Sequence, residues 1–366
     1  MRILFVVPAS RAGTVQYTHN LANALSERDH EVAVISGIDN ELAGYARAYE
    51  LLETFDRFLP RPIRLFRAAR FIRRFRPHIV HMQGAQHPGI YLWMCRFLKV
   101  MLNVPIVYSP QDVLPNKLKL RTTQTFRKLY AEMSFVFLNA QQNLDLVVER
   151  FRVRNDRIRV LPIPDLMAFV RDSVTPKQPD IDNGRLVVLC FGLIEPRKGV
   201  SGLIQAFSSV HAAVPNAQLC IVGKPYMDVE PLYELIRTSG LSRDVTLTPR
   251  YVSFAEMSGL FRRADLVVLP YESGWNSGVL STALGFGKPV IATTVGGFRE
   301  VIEDGVSGML VPPGDREAIA SAMIACLKSP ELRERLGRNA HAFSEQVSWQ
   351  RIALETESVY AGIGAA

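Results

Sequence analysis

Short runs of consecutive apolar residues recur along the 366-residue chain, separated by stretches in which apolar positions return every three or four residues. Strands buried on both faces and alternating with amphipathic helices build open parallel sheets covered on both sides. In the first half the strand-like runs are Arg2 to Val7, Glu31 to Ser36, Ile79 to Met82, Pro105 to Tyr108, Ser134 to Asn139 and Arg157 to Val160. "PIPDLMAFVRDSVTPKQPDIDNG" follows, rich in Pro, Asp and Ser and without periodicity, and reads as a linker. The alternation restarts with Leu186 to Phe191, Gln218 to Val222, Val245 to Leu247, Leu266 to Leu269, Pro289 to Ala292 and Met309 to Val311. The pattern predicts two similar α/β domains, one over 1–165 and one over 185–347, joined by a linker over 166–184. Two doubly wound parallel sheets facing each other leave a cleft at the carboxyl ends of their strands, where such sheets bind ligands.

Length agrees, since a chain of this size exceeds one comfortable core, and an apolar fraction of 48% is enough to bury two. The four cysteines, Cys95, Cys190, Cys220 and Cys326, lie far apart with neither metal-ligand nor disulfide spacing. They read as small core residues in a reducing compartment. The chain opens on a strand pattern without a cationic leader, and no apolar run is long enough to span a bilayer, so a cytoplasmic location is expected.

Charge changes the picture more. Lys and Arg number 43 against 35 Asp and Glu, a net +8, and the excess is concentrated. Arg57, Arg61, Arg64, Arg67, Arg70, Arg73, Arg74 and Arg76 crowd one stretch, with Lys117, Lys119, Arg121, Arg127 and Lys128 later in the same half. At about 100° per residue, Leu65, Ala68, Ala69, Ile72 and Phe75 share one arc and Arg67, Arg70 and Arg74 the opposite one, flanked by Phe66 and Phe71. Such a helix packs on a sheet and still presents cations. Two readings stand open, a solvated face and a face that docks peripherally to the anionic inner face of a membrane. No nucleic-acid-binding motif or aromatic platform is visible, so nucleic acid is not an expected partner.

The candidate chemistry sits in the loops after strands. Leu266 to Pro270 reads as a buried parallel strand, so the loop beginning "YESGWNSG" lies at a carboxyl end. Ser277 or Asn276 is a good N-cap for the helix that follows, and Gly278 removes the side chain that would hold a ligand off the backbone. The first amides of that helix, those of Gly278 and Val279, then offer an anion site suited to a diphosphate. Alone, the motif describes an ordinary capped helix. However, Arg197, Lys198 and Gly199 follow the strand Leu186 to Phe191, where two cations clamp the same phosphates. A third glycine turn, Ala12-Gly13-Thr14, follows the first strand of the other half. No metal-site spacing is visible.

These stretches carry a family resemblance. Roughly Leu186 to Gly314 resembles the retaining nucleotide-sugar glycosyltransferases of family GT4, in "GLIEPRKGVSGLIQAF", "ADLVVLPY", "SGVLSTALGFGKPVIATTVGGFREVI" and "DGVSGMLVPPGD". The first half is similar through "MRILFVVPASRAG", "LANALSERDHEVAVIS", "RPHIVHMQ" and "PIVYSPQDVLP". "SWQRIALETESVYAGI" looks like the family's C-terminal helices, the last of which, over 348–366, crosses back to the first domain. The resemblance implies the GT-B fold of two Rossmann-like domains, a nucleoside-diphosphate sugar as donor, a glycan or lipid-linked acceptor as in polysaccharide biosynthesis, and no metal or other cofactor. The family's paired glutamates are absent. Aligning on "GKPV" sets Gly274 and Thr282 at their places, with Glu272 nearby. A branch of the family with Ser-Gly-Val at the helix mouth, which this chain resembles, commonly lacks that pair. Leu193 stands where Gly-Arg is usual, Arg197 being the nearest substitute, and Gln111, beside Asp112, replaces a histidine of the first domain.

By that resemblance, transfer proceeds with retention on the front face, the departing phosphate helping to take the acceptor's proton. Lys198, Arg197 and the helix amides then contribute most to the rate, by stabilising the charge that gathers on the diphosphate, with Gln111 and Asp112 the candidate side chains of the first domain. Gly13, Ser277, Gly278, Val279, Thr282 and Glu272 are expected donor contacts, Thr282 reaching a ribose hydroxyl. His87 is an expected acceptor contact and His81 a satisfied strand-end histidine, while Trp275 covers the donor or caps its loop. Two alternatives stay open. A nucleotide-sugar epimerase or hydrolase of the same fold would be favoured by buried acid/base carboxylates. A non-catalytic nucleotide-binding relative is suggested by the missing glutamates and opposed by Lys198 and Ser277-Gly278-Val279.

Overall fold

A computed structural model of the chain describes residues 1–56, 59–60, 62–84, 87–111, 113, 120–171, 184–274 and 276–364. Arg57, Arg61, Asp112, Lys117, Lys119 and Trp275, each singled out above, lie outside the described residues, as does the side chain of Arg121. The chain divides into two compact units, Met1–Leu166 with Val347–Ala366, and Met167–Gln346.

The first unit is built on Arg2–Val7 (β1), Glu31–Gly37 (β2), Glu50–Asp56 (β3), Leu59–Pro60 (β4), Ile79–Gln83 (β5), Ile106–Ser109 (β6), Phe135–Leu138 (β7) and Ile158–Val160 (β8). They form one sheet in the order β4-β3-β2-β1-β5-β6-β7-β8, parallel throughout except for the short β3–β4 hairpin. Ile3, Leu4, Phe5, Ile79, Val80 and Met82 are completely buried, as helices on both faces require. β3 and β4 are not visible in the hydrophobic pattern. Glu50 and Glu53 are exposed in β3 and only Thr54 and Phe55 are buried, so this strand never makes the continuous apolar run that marks the inner ones.

Trp349–Gly364 forms a helix that belongs to this same unit. Trp349 donates its ring N–H to the Asp165 carbonyl at 2.8 Å and meets the Tyr17 ring edge-on at 5.0 Å. Tyr360 carries its hydroxyl to within 2.5 Å of His81 Nδ1, whose Nε2 lies 2.6 Å from Ser109 Oγ. His81 is therefore a satisfied core histidine, and burial pulls its pKa down to about 3. The basic helix spans Pro62–Phe75. Ala68, Ile72 and Phe75 are buried as the arc predicts, and Phe71 joins them, stacking on Phe75, whereas Phe66 faces outward with Arg67 and Arg70.

The second unit carries Leu186–Phe191 (β9), Ala217–Val222 (β10), Val245–Thr248 (β11), Leu266–Leu269 (β12), Val290–Thr293 (β13) and Met309–Val311 (β14). Its sheet is parallel with the order β11-β10-β9-β12-β13-β14. Leu203, Phe207, Leu219, Val268, Ile291 and Met323 lie in its core. The unit begins earlier than the linker reading places it. Met167 and Val170 are fully buried, Ala168–Arg171 is a helical turn, and Arg171 donates to the Gly285 carbonyl at 3.0 Å. A few apolar side chains among the prolines suffice to anchor a segment that has no periodicity. All four cysteines are free and buried, and among the described residues no helix is long and apolar enough to cross a membrane.

Candidate functional site

The strand order of the second sheet reverses between β9 and β12, so the loops leaving these neighbours diverge and open a crevice at their carboxyl ends. Both stretches singled out in the sequence leave from here. After β9 the chain makes a tight turn, Pro196–Lys198, and enters the Val200–Ala213 helix through Gly199 in the left-handed conformation, φ 66°. A β-carbon on Gly199 would stand 1.9 Å from the Pro270 carbonyl oxygen. The Arg197 carbonyl accepts from the Glu272 amide at 2.8 Å and the Ser273 amide at 3.4 Å. A β-carbon on Gly274 would lie 3.2 Å from Arg197 Nη1. The turn after β9 and the loop after β12 are thus pressed together along their backbones.

Charge is distributed unevenly within this pair. Arg197 is engaged with Glu195, Nη2 to Oε1 2.6 Å. Lys198 has no carboxylate partner among the described residues. Its Nζ rests 3.5 Å from the centroid of the buried Tyr271 ring. The Tyr271 hydroxyl lies 3.0 Å from Ser277 Oγ, its carbonyl accepts from the Thr293 hydroxyl at 2.6 Å, and its ring packs on Phe298 with centroids 5.2 Å apart. Ser277 occupies the N-cap position of the Gly278–Gly285 helix, yet its side chain makes no capping bond. That corrects the sequence expectation, in which Ser277 or Asn276 caps the helix. Tyr271, six residues earlier in the same loop, has captured the serine hydroxyl, and the Asn276 Nδ2 has no partner among the described residues.

The first amides bonded to the Ser277 carbonyl are those of Leu280 and Ser281, so Gly278 and Val279 present theirs ahead of the helical ladder. No acidic residue stands in that first turn. Val279 Cγ2 lies 3.4 Å from where a β-carbon on Gly192 would be, which sets the helix mouth against the turn after β9. An ammonium without a carboxylate partner among the described residues and an uncapped helix N-terminus therefore meet at one crevice, an arrangement that attracts a dianion. Thr282 does not share it. The helix buries everything from Leu280 to Gly285, Thr282 is completely buried with its hydroxyl unpartnered, and no surface is left there for a ribose. Glu272 is exposed in the loop.

The remaining candidates belong to the first unit. Gly13 opens the Gly13–Ser26 helix, but the carboxylate of Glu41 already accepts from the Ala12 amide at 2.7 Å and lies 3.4 Å from Gln16 Nε2. A carboxylate at that turn opposes the contact with an anionic donor expected of Gly13. His87 is exposed at the start of the Pro88–Met101 helix, its carbonyl accepting from the Ile90 and Tyr91 amides. Gln111 is half-buried with its Nε2 unpartnered, and Asp112 lies outside the described residues. Sequence reasoning missed Tyr271 and Thr293. The available signal was an aromatic residue directly after the Pro270 that ends the switch-point strand.

Two doubly wound sheets, the second with a cationic, uncapped helix mouth at its switch point, make up a GT-B fold. The family model described as Glycosyl transferases group 1 matches residues 173–343, and the one described as Glycosyltransferase Family 4 matches residues 11–164. Both units of the chain thus match glycosyltransferase families, the first unit family 4. A phosphatidyl-myo-inositol mannosyltransferase of Mycobacterium leprae is 34% identical over 178 residues, 48% of this chain and 46% of that one. A D-inositol 3-phosphate glycosyltransferase of Segniliparus rotundus is 27% identical over 232 residues, 62% of this chain and 51% of the other. The chain spans about half the length of these curated relatives. Among solved structures, Anabaena HepE in complex with UDP matches in fold with a TM-score of 0.77 at 19% identity, over 99% of this chain and 100% of that one.

Proposed function

We propose that the chain is a retaining glycosyltransferase that moves a sugar from a nucleoside-diphosphate sugar to a glycan or lipid-linked acceptor. The observation that carries the reading is the convergence of Lys198 and the uncapped Gly278–Gly285 helix on one crevice. An ammonium without a carboxylate partner and amides without a cap are what a diphosphate needs, and its charge grows as the bond to the sugar breaks. One preorganised donor of this kind is worth about 3 kcal/mol to the rate. The fold's occurrence with UDP in HepE supports a nucleotide donor, and the names of the inositol-linked relatives support a hydroxyl acceptor. Glu195 is engaged with Arg197 and the first helical turn has no carboxylate, which favours transfer over epimerase or hydrolase chemistry and fits front-face retention with the diphosphate taking the acceptor's proton. Lys198 and the helix amides supply the positive charge for which a divalent cation would otherwise be used, so the reaction is proposed to be metal-independent.

A thermal-shift panel of UDP, GDP, ADP and TDP with their sugars tests the reading. A ligand at a hundredfold its Kd adds about 2.7 kcal/mol to stability, and no shift with any of them would overturn it.

We further propose that the enzyme is cytoplasmic and meets its acceptor at the anionic inner face of a membrane. Ile63 and Phe66 are 72% and 69% exposed on the Pro62–Phe75 helix beside exposed Arg67, Arg70 and Arg73. Apolar side chains ringed by cations suit a headgroup interface.

A further inference from the structure

We infer that Tyr271 is the positioning residue of the diphosphate site, holding Lys198 with its ring and the helix mouth with its hydroxyl; the inference rests on the reading of that crevice as a diphosphate site. Tyr271 follows Pro270 at the end of β12 and is itself immobilised. Its carbonyl is held by the Thr293 hydroxyl at 2.6 Å and its ring by Phe298, so it presents two fixed features to the crevice.

The first is its aromatic face. A lysine chain that must stay in one place needs a partner, and the usual partner is a carboxylate. A carboxylate would cancel the charge of Lys198 and repel an incoming phosphate. An aromatic face attracts the ammonium through its quadrupole and leaves the full positive charge available, and the 3.5 Å separation is one of direct contact. Arg197 next door shows the alternative, a cation already neutralised by Glu195.

The second is the hydroxyl. Serine at an N-cap position ordinarily accepts from the amide two or three residues on, which here would occupy the Val279 or Leu280 amide. Tyr271 holds Ser277 Oγ at 3.0 Å instead, and the cap is not made. Both features act in the same direction: each keeps a positive group ordered and unsatisfied until an anion arrives.

The two arms are separable by substitution. Calorimetric titration with UDP, GDP and ADP identifies the diphosphate that the wild-type protein binds. Tyr271→Leu should then weaken its binding by about 3- to 30-fold, the range of a cation–π contact. In a Lys198→Ala background it should lose only the about threefold that the freed Ser277 cap costs, because the ring acts through Lys198. Tyr271→Phe keeps the ring and frees Ser277 to cap, so it should lose only about threefold. Adding Ser277→Ala should restore that loss by removing the competing cap, a recovery that a purely structural role for Tyr271 does not produce. Additive losses in the Lys198→Ala background, or no recovery in the Tyr271→Phe, Ser277→Ala pair, would overturn the inference while leaving the diphosphate reading intact. Should Tyr271→Leu not fold, the second pair decides alone. A wild-type protein that binds none of the three nucleotides removes the diphosphate reading and this inference with it.

Discussion

Replacing Gly199 by alanine puts a number on the contact that sets the lysine turn. The residue sits at φ 66°, ψ 21°, a conformation that costs an L-residue roughly 1–2 kcal/mol. The added β-carbon would also lie 1.9 Å from the Pro270 carbonyl oxygen. Both sides of that overlap are backbone, so no rotamer relieves it, and overpacking of this kind costs about 1–3 kcal/mol more. The sum, about 2–5 kcal/mol, is a large share of the ~5–15 kcal/mol that holds a domain together. Gly240 supplies the control, with φ 70° and nothing within 4 Å of its would-be β-carbon, so Gly240→Ala carries only the conformational part. In a calorimetric scan the transition of the 167–346 unit should fall by about 4–20 °C in Gly199→Ala, at 2–4 °C per kcal/mol, and by only a few degrees in Gly240→Ala. Equal shifts in the two variants would refute the backbone contact between the turn after β9 and the loop after β12.

Other outcomes follow from the same geometry. Lys198→Ala should lower turnover about a hundredfold and affinity for the sugar nucleotide much less, since the lysine meets charge that appears as the bond breaks; unchanged turnover once an acceptor is known removes it from the reaction. His81, with its pKa pulled from the usual 6.5 to about 3, stays neutral in the folded chain while the unfolded chain takes up a proton first. Stability should therefore be full above about pH 6.5 and fall by up to about 1.4 kcal/mol per pH unit as the pH drops towards 3, a slope that His81→Gln should reduce in denaturant titrations. Sedimentation with anionic vesicles should weaken as salt rises and with an Arg67/Arg70/Arg73→Glu variant, each cation near the surface contributing about 1 kcal/mol; equal sedimentation with neutral vesicles leaves the arginines as a solvated face.

The inner strands were legible because burial on both faces writes itself as an uninterrupted apolar run, as in Leu266 to Leu269. β3 was not, because an outer strand with Glu50 and Glu53 exposed reads as a helix or loop. The crevice was legible as two loops after two strands, since cations and glycines at carboxyl ends have a local meaning. What joins the loops was not. Tyr271 finds Lys198 across 73 positions of sequence, and it overrides the local rule that makes Ser277 a cap. Phe66 and Phe71 flank the same arc on a helical projection, and only the sheet beneath decides that Phe71 packs inward. The Met167 to Val170 segment shows the converse error, in which proline and aspartate nearby concealed side chains that are fully buried.

The helix from Trp349 to Gly364 has a consequence for how the chain is made. It completes the first unit, filling against Tyr17 and His81, but a ribosome delivers it only after the whole Met167–Gln346 unit. At 5–20 residues per second, roughly 10–40 s pass between the emergence of Leu166 and that of Trp349. During that interval Tyr17 and His81 wait for the helix that covers them, and by its end the Met167–Gln346 unit has all its residues in hand. Completion therefore runs against the order of synthesis, the later unit closing before the earlier one. A nascent chain stalled before Trp349 should hold one finished domain and one that still needs a chaperone.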